Sequence, residues 1–299
     1  MKKIDLHMHS TASDGTFPPA EIVAAAAAAE LAAVALTDHD TTDGIDEFMT
    51  AGRAHPEMLT IPGIEISTLF DGREVHIVGL FIDHHNPGLI DFIKRIQGER
   101  HDRNLKLVEK LEEAGYPVTM DEVVTVSGGK IIGRPHFAQV IKEKYAFNTL
   151  QDVFENCLKR GTPGYYPRVL PQPAEAIKAI HAAGGIAVWA HPVYRNQNER
   201  SWVRRVLRKI APEGLDAVEA YYSKFDANQT RIMTELAKEF NLALSGGSDF
   251  HGENSPGVMP GTGFGGLDVP ENLLQPLLEI AKKYILKQSD TSNKDLKEE

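Results

Sequence analysis

The chain of 299 residues has an ordinary globular composition, with 42% hydrophobic residues, 25% charged residues and a formal net charge of -10. This composition excludes a fibrous or disordered protein, and the negative charge argues against the broad basic surface that binds long nucleic acids. The most apolar stretch, residues 22–36, contains Glu30 and falls short of the ~20 apolar residues of a membrane span. Cys157 is the single cysteine, which excludes an internal disulfide. The first residues contain no apolar run long enough for a signal peptide, so export is not expected. We therefore expect a cytoplasmic protein without a membrane partner.

Short apolar runs alternate with helical patterns along most of the chain, which is typical of βα units that build a parallel sheet. Strands are predicted at residues 3–6, 33–37, 59–67, 75–81, 186–190, 217–221 and 242–246. Helices are predicted at residues 18–31, 44–53, 198–210, 226–240 and 270–286. The alternation indicates an α/β domain.

The alternation stops between about residues 89 and 171, where the pattern is helical and ends in the sequence GTPGYYPRVLPQP. We interpret residues 89–171 as an inserted helical subdomain, which divides the α/β domain into residues 1–88 and 172–286. The tail at 287–299 is polar, charged and free of aromatic residues, so it is predicted to be flexible.

Most of the predicted strands end in histidine or carboxylate residues at the point where the next loop begins. The C-terminal ends of barrel strands meet at one face, so these distant groups are expected to lie together. They are His7, His9 and Asp14 near the first strand, His39 and Asp40 after the second, Glu65 in the third, and then His76, His191, Asp249 and His251. Six of the 12 histidines have this placement, and imidazole is a common ligand of transition metals. The pattern predicts a metal site.

The spacing within two motifs supports this prediction. In His7-x-His9 and Asp249-x-His251 both side chains point the same way if the backbone is extended, because strand side chains alternate. Such pairs can share one metal ion or bridge two. The histidines without this placement, His55, His84, His85, His101 and His181, are interpreted as surface or core residues.

Taken in order, His7-x-His9, Thr37-Asp38-His39, Pro62-Gly63-Ile64-Glu65, Ala190-His191-Pro192 and Ser248-Asp249-x-His251 resemble the motifs of the PHP (polymerase and histidinol phosphatase) family. The resemblance covers almost the whole chain apart from the insertion and the tail. It implies an α/β fold of the distorted (β/α)7 barrel type, similar to a TIM barrel, with the helical subdomain inserted. It also implies a site for three divalent metal ions.

The resemblance also implies which residues hold each ion. His7, His9, Glu65 and Asp249 would hold the first, His76 and His191 a second that Glu65 bridges, and Asp14, His39 and His251 the third. Asp14 stands where some relatives have histidine, so the ligand set of the third ion departs from the family pattern. Nitrogen and oxygen ligands without sulfur favour Mn2+, with Fe2+ or Zn2+ as alternatives.

A water activated by such ions could attack phosphorus, so no side-chain nucleophile is required. Asp40 and His191 are the expected catalytic residues. Asp40 follows the ligand His39 and is predicted to carry a proton or to hold a substrate hydroxyl. An acidic cap or a contact that orients a ligand is the equal alternative for Asp40.

The insertion carries Arg103, Asn104 and Lys106 on a predicted helix, and Arg134 and His136 in a Gly-Arg-Pro-His turn. Arginine suits phosphate because its planar fork donates two hydrogen bonds at once. The helix and turn resemble those of the PHP subgroup that removes the 3'-phosphate of 3',5'-nucleoside bisphosphates and that includes enzymes trimming short RNAs from the 5' end. The resemblance implies that these five residues and Asp40 contact the substrate.

The expected function is therefore metal-dependent hydrolysis of a nucleotide such as adenosine 3',5'-bisphosphate, or of a short 5'-phosphorylated RNA. Histidinol-phosphate phosphatase and a catalytically silent metal- or ligand-binding module stay open as alternatives. A proofreading module of a polymerase is less favoured because no polymerase sequence follows the barrel. No obligatory protein partner is expected.

Overall fold

The computed structural model describes residues 2–128, 131–193 and 199–295, and the chain divides into two compact units. Unit 1 comprises Met1–Phe92 and Pro171–Glu299, and unit 2 comprises Ile93–Leu170. The division lies close to the predicted boundaries at residues 89 and 171. Within the described ranges, no helix is long and apolar enough to cross a membrane.

Unit 1 is built on a seven-stranded sheet in which the strands follow chain order from β1 to β7. The strands are β1 (Ile4–Asp5), β2 (Ala33–Leu36), β3 (Leu59–Phe70), β4 (Arg73–Leu80), β5 (Ile186–Ala190), β6 (Ala217–Tyr222) and β7 (Ala243–Gly247). Backbone hydrogen bonds from Leu6 to Gly246 and from Asp249 to His7 join the two edges, so the sheet forms a nearly closed barrel. The predicted α/β barrel is confirmed, and all seven strands were predicted to within three residues.

Strand β4 corrects the prediction of an all-parallel sheet, because it runs antiparallel to both β3 and β5. Asp71 and Gly72 join β3 to β4, and both have positive φ angles of 49° and 74°, as a two-residue hairpin turn requires. The prediction that His76 ends its strand is therefore wrong, since His76 is the fourth residue of β4. The reversed direction brings the first half of β4 to the end of the barrel where the parallel strands finish.

Ten α-helices are assigned among the described residues. They are α1 (Pro19–Ala28), α2 (Ile45–Gly52), α3 (Pro87–Glu113), α4 (Met120–Ser127), α5 (Arg134–Lys144), α6 (Leu150–Val153), α7 (Pro173–Ala182), α8 (Glu199–Ile210), α9 (Ala227–Glu239) and α10 (Leu274–Asp295). Proline opens α1 and α7, where its missing N–H costs nothing. Helix α7 follows the proline-rich end of the insertion and was not predicted. Helix α10 extends nine residues beyond its predicted end at residue 286. The last four residues of the predicted tail lie outside the described residues.

The interior of the barrel is apolar at the end opposite the predicted site. Ile4, Ile186 and Val188 from the strands cluster there with Leu277 and Ala281 of α10, and all five are almost fully buried. A second apolar cluster packs α1 and α2 against β2. Burial of each large aliphatic side chain stabilises the fold by about 1.5–3 kcal/mol, so these clusters hold the strand ends in fixed positions.

Unit 2 is helical in its described residues, as the sequence predicted. Thr119 and Glu122 form a capping box at the start of α4, and Gly128 ends this helix with a φ of 65°. Helix α6 continues into a π-helical turn at Phe154–Leu158. Unit 2 has its own core, formed by buried residues that include Leu107, Leu111, Val123, Phe137, Ile141, Cys157 and Leu158.

Candidate metal centre

The nine predicted metal ligands lie together at one end of the barrel of unit 1. His7 and His9 follow β1, Asp14 lies before α1, His39 follows β2, Glu65 is in β3, His76 is in β4, His191 follows β5, and Asp249 and His251 follow β7. The barrel thus brings together residues that are up to 244 positions apart, counted from His7 to His251.

Glu65 occupies the centre of this cluster and is only 1% exposed. Its Oε1 lies 2.9 Å from Nδ1 of His76 and 2.8 Å from Nε2 of His191. Its Oε2 lies 3.0 Å from Nδ1 of His39 and 3.3 Å from Nε2 of His7. One carboxylate is therefore shared by four histidines, of which His76 lies within β4 and the other three follow β1, β2 and β5.

His7 and His9 face each other across a short distance. Their Nε2 atoms are 3.1 Å apart, and Nε2 of His9 lies 3.4 Å from Oδ1 of Asp249 and 3.3 Å from Oε2 of Glu65. All four side chains are almost buried, so these polar atoms have little access to water. The four side chains that were predicted to hold the first ion therefore lie within a few ångströms of one another.

Asp14 lies at the more open side of the cluster, with 44% of its side chain exposed. Its Oδ1 is 3.2 Å from Nε2 of His251, and its Oδ2 is 3.9 Å from Nε2 of His39. The ring of His251 stacks on that of His9 with centroids 4.0 Å apart. Asp14, His39 and His251 are thus close enough to share one ion.

The geometry of the cluster fits divalent metal ions. Nδ1 of His9 is buried without a hydrogen-bond partner in the described part of the chain. Nδ1 of His39 and Oε2 of Glu65 are also buried, and although they lie 3.0 Å apart they form no hydrogen bond with each other or with another described group. Each such group costs roughly 1–3 kcal/mol if nothing compensates it. Ligand atoms that sit about 2.1 Å from one ion lie roughly 3.0–3.4 Å apart, which is close to the separations around Glu65. Metal ions would therefore satisfy groups that the protein leaves unsatisfied.

The charges in the cluster depend strongly on one another. Burial alone would raise the pKa of Glu65, but His39, His7 and His76 hold it well below its ordinary value. Burial would lower the pKa of His7, whereas Glu65 and Glu219 raise it well above the ordinary value. Glu65 is thus held ionised, and without a metal ion His7 favours its protonated form, so a cation that binds here would displace this proton.

Glu219, at the third position of β6, contacts two ligands and was missed by the sequence analysis. Its Oε1 accepts a hydrogen bond from Nδ1 of His7 at 3.2 Å, and its Oε2 accepts one from the backbone N–H of His191 at 2.6 Å. These contacts leave Nε2 of His7 directed at the cluster. A glutamate inside an otherwise apolar strand was the available signal.

Two further buried aspartates hold the loops that carry ligands. Asp5 accepts backbone hydrogen bonds from Ser248 at 2.8 Å and Gly261 at 2.7 Å, and burial raises its pKa to about 6. Asp38 accepts bonds from the backbone N–H of Ser10, the hydroxyl of Ser10 and the hydroxyl of Ser13. Asp38 thus fixes the turn before Asp14 without reaching the cluster itself.

Asp40 is 2% exposed and lies beside the cluster. Its Oδ1 accepts a hydrogen bond from the backbone N–H of Ser67 at 2.9 Å. Asp40, His191 and Asp249 also have positive φ angles of 51°, 31° and 57°, which are uncommon outside glycine. Such backbone strain concentrates at functional sites, where the surrounding structure holds it.

The cluster opens into a cavity of about 580 Å3 in unit 1. His39, Glu65, His76, His191, Asp249 and His251 line one part of it, and Arg73, Trp202, Tyr222 and Lys224 line another. The hydroxyl of Tyr222 donates to Oδ2 of Asp249 at 2.8 Å, and Nζ of Lys224 lies 3.8 Å from the same oxygen. The cavity therefore combines metal ligands with cationic and aromatic side chains.

The five substrate contacts predicted in the insertion belong to unit 2. Arg103 and Asn104 are buried in α3, where Nη1 of Arg103 donates to Oδ1 of Asn104 at 2.8 Å. Lys106 is half-exposed and pairs with Glu109 on the same helix. Arg134 and His136 lie in the first turn of α5, where Nδ1 of His136 accepts a hydrogen bond from the backbone N–H of Gly133. Their contact with substrate stays a prediction.

The chain is similar to known proteins in sequence and in fold. The family model of the PHP domain matches residues 5–159. The chain is 37% identical to the 5'-3' exoribonuclease Rnm of Salmonella typhimurium over 83% of this chain and 84% of that protein. It is 33% identical to the 3',5'-nucleoside bisphosphate phosphatase of Chromobacterium violaceum, over 86% and 90% of the two chains. A solved structure from Bifidobacterium adolescentis, assigned as a metal-dependent phosphoesterase, superposes with a TM-score of 0.78 at 27% identity and covers 93% of this chain and 96% of that one.

Proposed function

Because this chain belongs to the PHP domain family and is a metal-dependent phosphoric ester hydrolase, we propose that it acts on nucleotides. Its substrates would be 3',5'-nucleoside bisphosphates, from which it removes the 3'-phosphate, and short 5'-phosphorylated RNAs, which it shortens from the 5' end. The observation that carries this proposal is the buried ligand cluster that opens into a cavity with Arg73 and Lys224 in its wall. A cytoplasmic location, where nucleotides are abundant, belongs to the same proposal.

We propose that the cluster holds three divalent ions, with Mn2+ as the native metal. His7, His9, Glu65 and Asp249 hold the first ion, His76 and His191 hold a second that Glu65 bridges, and Asp14, His39 and His251 hold the third. The three carboxylate ligands and the absence of sulfur ligands support Mn2+, whereas the imidazole ligands suit Fe2+ or Zn2+ equally well. When bound, such ions polarise phosphoryl oxygens and lower the pKa of water.

The protein's own residues would position the reacting groups. Tyr222 holds Oδ2 of Asp249, so Oδ1 is directed at His9. Lys224 stands at the cavity wall, where its ammonium group can bind an oxygen of the scissile phosphate. We assign catalytic roles to His191, which contacts Glu65, and to Asp40, which would carry a proton or hold a substrate hydroxyl.

The second phosphate of a bisphosphate substrate would be bound by unit 2. Arg103, Arg134 and Lys106 offer cationic groups for this phosphate, and Asn104 and His136 offer further polar atoms. Arginine favours such a role because it can donate two hydrogen bonds to one phosphate. This assignment predicts a preference for substrates that carry a 5'-phosphate.

The test is phosphate release by the Mn2+-loaded protein from adenosine 3',5'-bisphosphate, adenosine 3'-monophosphate, histidinol phosphate and a short 5'-phosphorylated RNA. We expect the bisphosphate and the RNA to be the best substrates. Adenosine 3'-monophosphate should show a raised KM, because one charge-assisted phosphate contact is worth roughly 1.5–3 kcal/mol. A preference for histidinol phosphate would establish the alternative phosphatase, and metal uptake without turnover of any substrate would establish a silent binding module.

A Glu65→Gln variant serves as the control for metal-dependent activity. The neutral amide of this variant cannot share a negative charge among four ligand groups, so we expect it to lose bound Mn2+ and phosphate release together. Metal content measured on the same samples separates a loss of ions from a loss of substrate binding.

A further inference from the structure

The cavity has a wall that the metal ligands do not explain. Arg73 at the start of β4 lies over the ring of Trp202 in α8, with its guanidinium carbon 4.4 Å from the ring centroid. Phe70 meets the same ring edge-on, with centroids 6.0 Å apart. Arg73 and Trp202 both line the cavity, and all three residues belong to unit 1.

The position of this Arg73–Trp202 wall relates it directly to the cluster. Arg73 precedes His76 by three residues on β4, a rise of about 10 Å along the strand. His76 and His191 line the same cavity as Arg73 and Trp202. A ligand whose phosphate lies at the cluster can therefore reach the wall with the group that its phosphate carries.

The chemistry of the wall suits a flat, aromatic group. A guanidinium group over an indole ring is held by a cation–π interaction and is itself planar. Proteins that bind unpaired nucleotides stack bases on aromatic rings and on arginine planes of this kind. The indole thus positions the guanidinium group and adds a flat apolar surface, which a base can use and a phosphate cannot.

We propose that the Arg73–Trp202 wall stacks the base of the nucleotide whose scissile phosphate lies at the ligand cluster. This inference rests on the proposed function and adds the part of the site that recognises the nucleoside. Stacking of this kind tolerates every base, because each base has a π-face. The wall therefore selects nucleotides over other phosphate esters without selecting one base.

Arg205 offers a matched control for Arg73. Its guanidinium carbon also lies 4.9 Å from the centroid of the Trp202 ring, but Arg205 is outside the group of residues that line the cavity. Its side chain is 60% exposed and lies 3.8 Å from Asp71. Loss of Arg205 thus removes the same charge next to the same ring without changing the cavity wall.

The experiment compares adenosine 3',5'-bisphosphate with the abasic ribose 3,5-bisphosphate that lacks only the base. For Trp202→Ala and Arg73→Met we expect kcat/KM on the adenosine substrate to fall about 10-fold, mainly through KM, as for the loss of one base stack. On the abasic substrate both variants should match the wild type, and Arg205→Met should match it on both. Equal losses on the two substrates would overturn the proposal and assign the wall to phosphate binding or to the fold.

Intrinsic fluorescence gives a readout that does not depend on turnover. The chain has two tryptophans, Trp202 and the buried Trp189. Titration of the Mn2+-loaded protein with AMP should change the emission, titration with ribose 5-phosphate should not, and Trp202→Phe should lose the AMP response. Trp189 also lines the cavity, so ribose 5-phosphate measures any change that the phosphate and ribose alone cause. No response to AMP in the wild type, or an equal response to ribose 5-phosphate, would contradict base stacking. Failure of the proposed function is a different result, in which the wild type releases phosphate from neither bisphosphate.

Discussion

Glu219 shows how one side chain can hold two metal ligands in place. Each of its carboxylate oxygens accepts one hydrogen bond, from the ring of His7 and from the backbone of His191. A Glu219→Gln variant would keep only one acceptor oxygen on this side chain and would turn an amide N–H toward the other donor. We expect this substitution to weaken Mn2+ binding by roughly 10- to 100-fold, the usual cost of losing a partner that orients a ligand. Titration calorimetry with Mn2+ measures this change.

The control for this variant is Glu213→Gln, which makes the same chemical change at an exposed position. It should bind Mn2+ like the wild type. If Glu219→Gln also kept its Mn2+ affinity within twofold, the contact with His7 would have no part in shaping the site. A lower kcat with unchanged affinity would instead assign Glu219 to a later step.

The residues of the ligand cluster could be predicted from the sequence because histidines and carboxylates recur at the ends of the predicted strands. Pairs such as His7-x-His9 and Asp249-x-His251 recur at several predicted strand ends, and this recurrence indicates a common site. No histidine stands beside Glu219 in β6, so this residue was not predicted. Asp5 stands two residues before His7, but its position in the sequence assigned it no role. Their function depends on contacts with distant elements, and only the folded barrel brings those contacts together.

At the scale of elements, the direction of β4 was the main feature that could not be predicted from hydrophobic pattern. A buried strand has the same alternation in either direction, so the pattern located residues 75–81 without orienting them. The Asp71-Gly72 pair was the local signal for a hairpin, since both residues adopt positive φ in such turns. The orientation matters because it brings His76 level with Ser67 and Ala190 in the neighbouring strands.

Asp216 connects three elements at the other end of the barrel. Its Oδ2 accepts hydrogen bonds from Nε2 of His181 in α7 and from the backbone N–H of Ala187 in β5, both at 2.8 Å. Its Oδ1 accepts one from the hydroxyl of Tyr284 in α10 at 3.0 Å, and burial together with Asp216 raises the pKa of that tyrosine. This network explains His181 as a structural residue.

We expect Asp216→Ala to lower the free energy of unfolding by about 2–4 kcal/mol, because three partly buried hydrogen bonds lose their common acceptor. Urea denaturation measures the change. Asp268→Ala provides the control, since the Asp268 side chain is 72% exposed and its ion pair with Lys3 should contribute less than about 1 kcal/mol. Equal midpoints for the two variants would show that the network does not stabilise the barrel.

At the scale of the whole molecule, all nine proposed ligands lie in unit 1, whereas Cys157 is buried in the separate core of unit 2. Mn2+ should therefore act on one unit and the thiol should report on the other. At a concentration 100 times its Kd, Mn2+ stabilises the state that binds it by about 2.7 kcal/mol, so it should raise the Tm of unit 1. His7→Ala should lose this response, as it removes a ligand from the first ion.

Alkylation of Cys157 then tests whether the two units open together. Burial raises the pKa of this thiol, so at pH 8 the native protein holds less thiolate than a free cysteine and reacts only when unit 2 opens. Because unit 2 has its own core, we expect the alkylation rate of the folded protein to be the same with and without Mn2+. The contradicting outcome is that Mn2+ slows alkylation in the wild type but not in His7→Ala. Unit 2 would then open only when unit 1 does, and the molecule would unfold as one cooperative body.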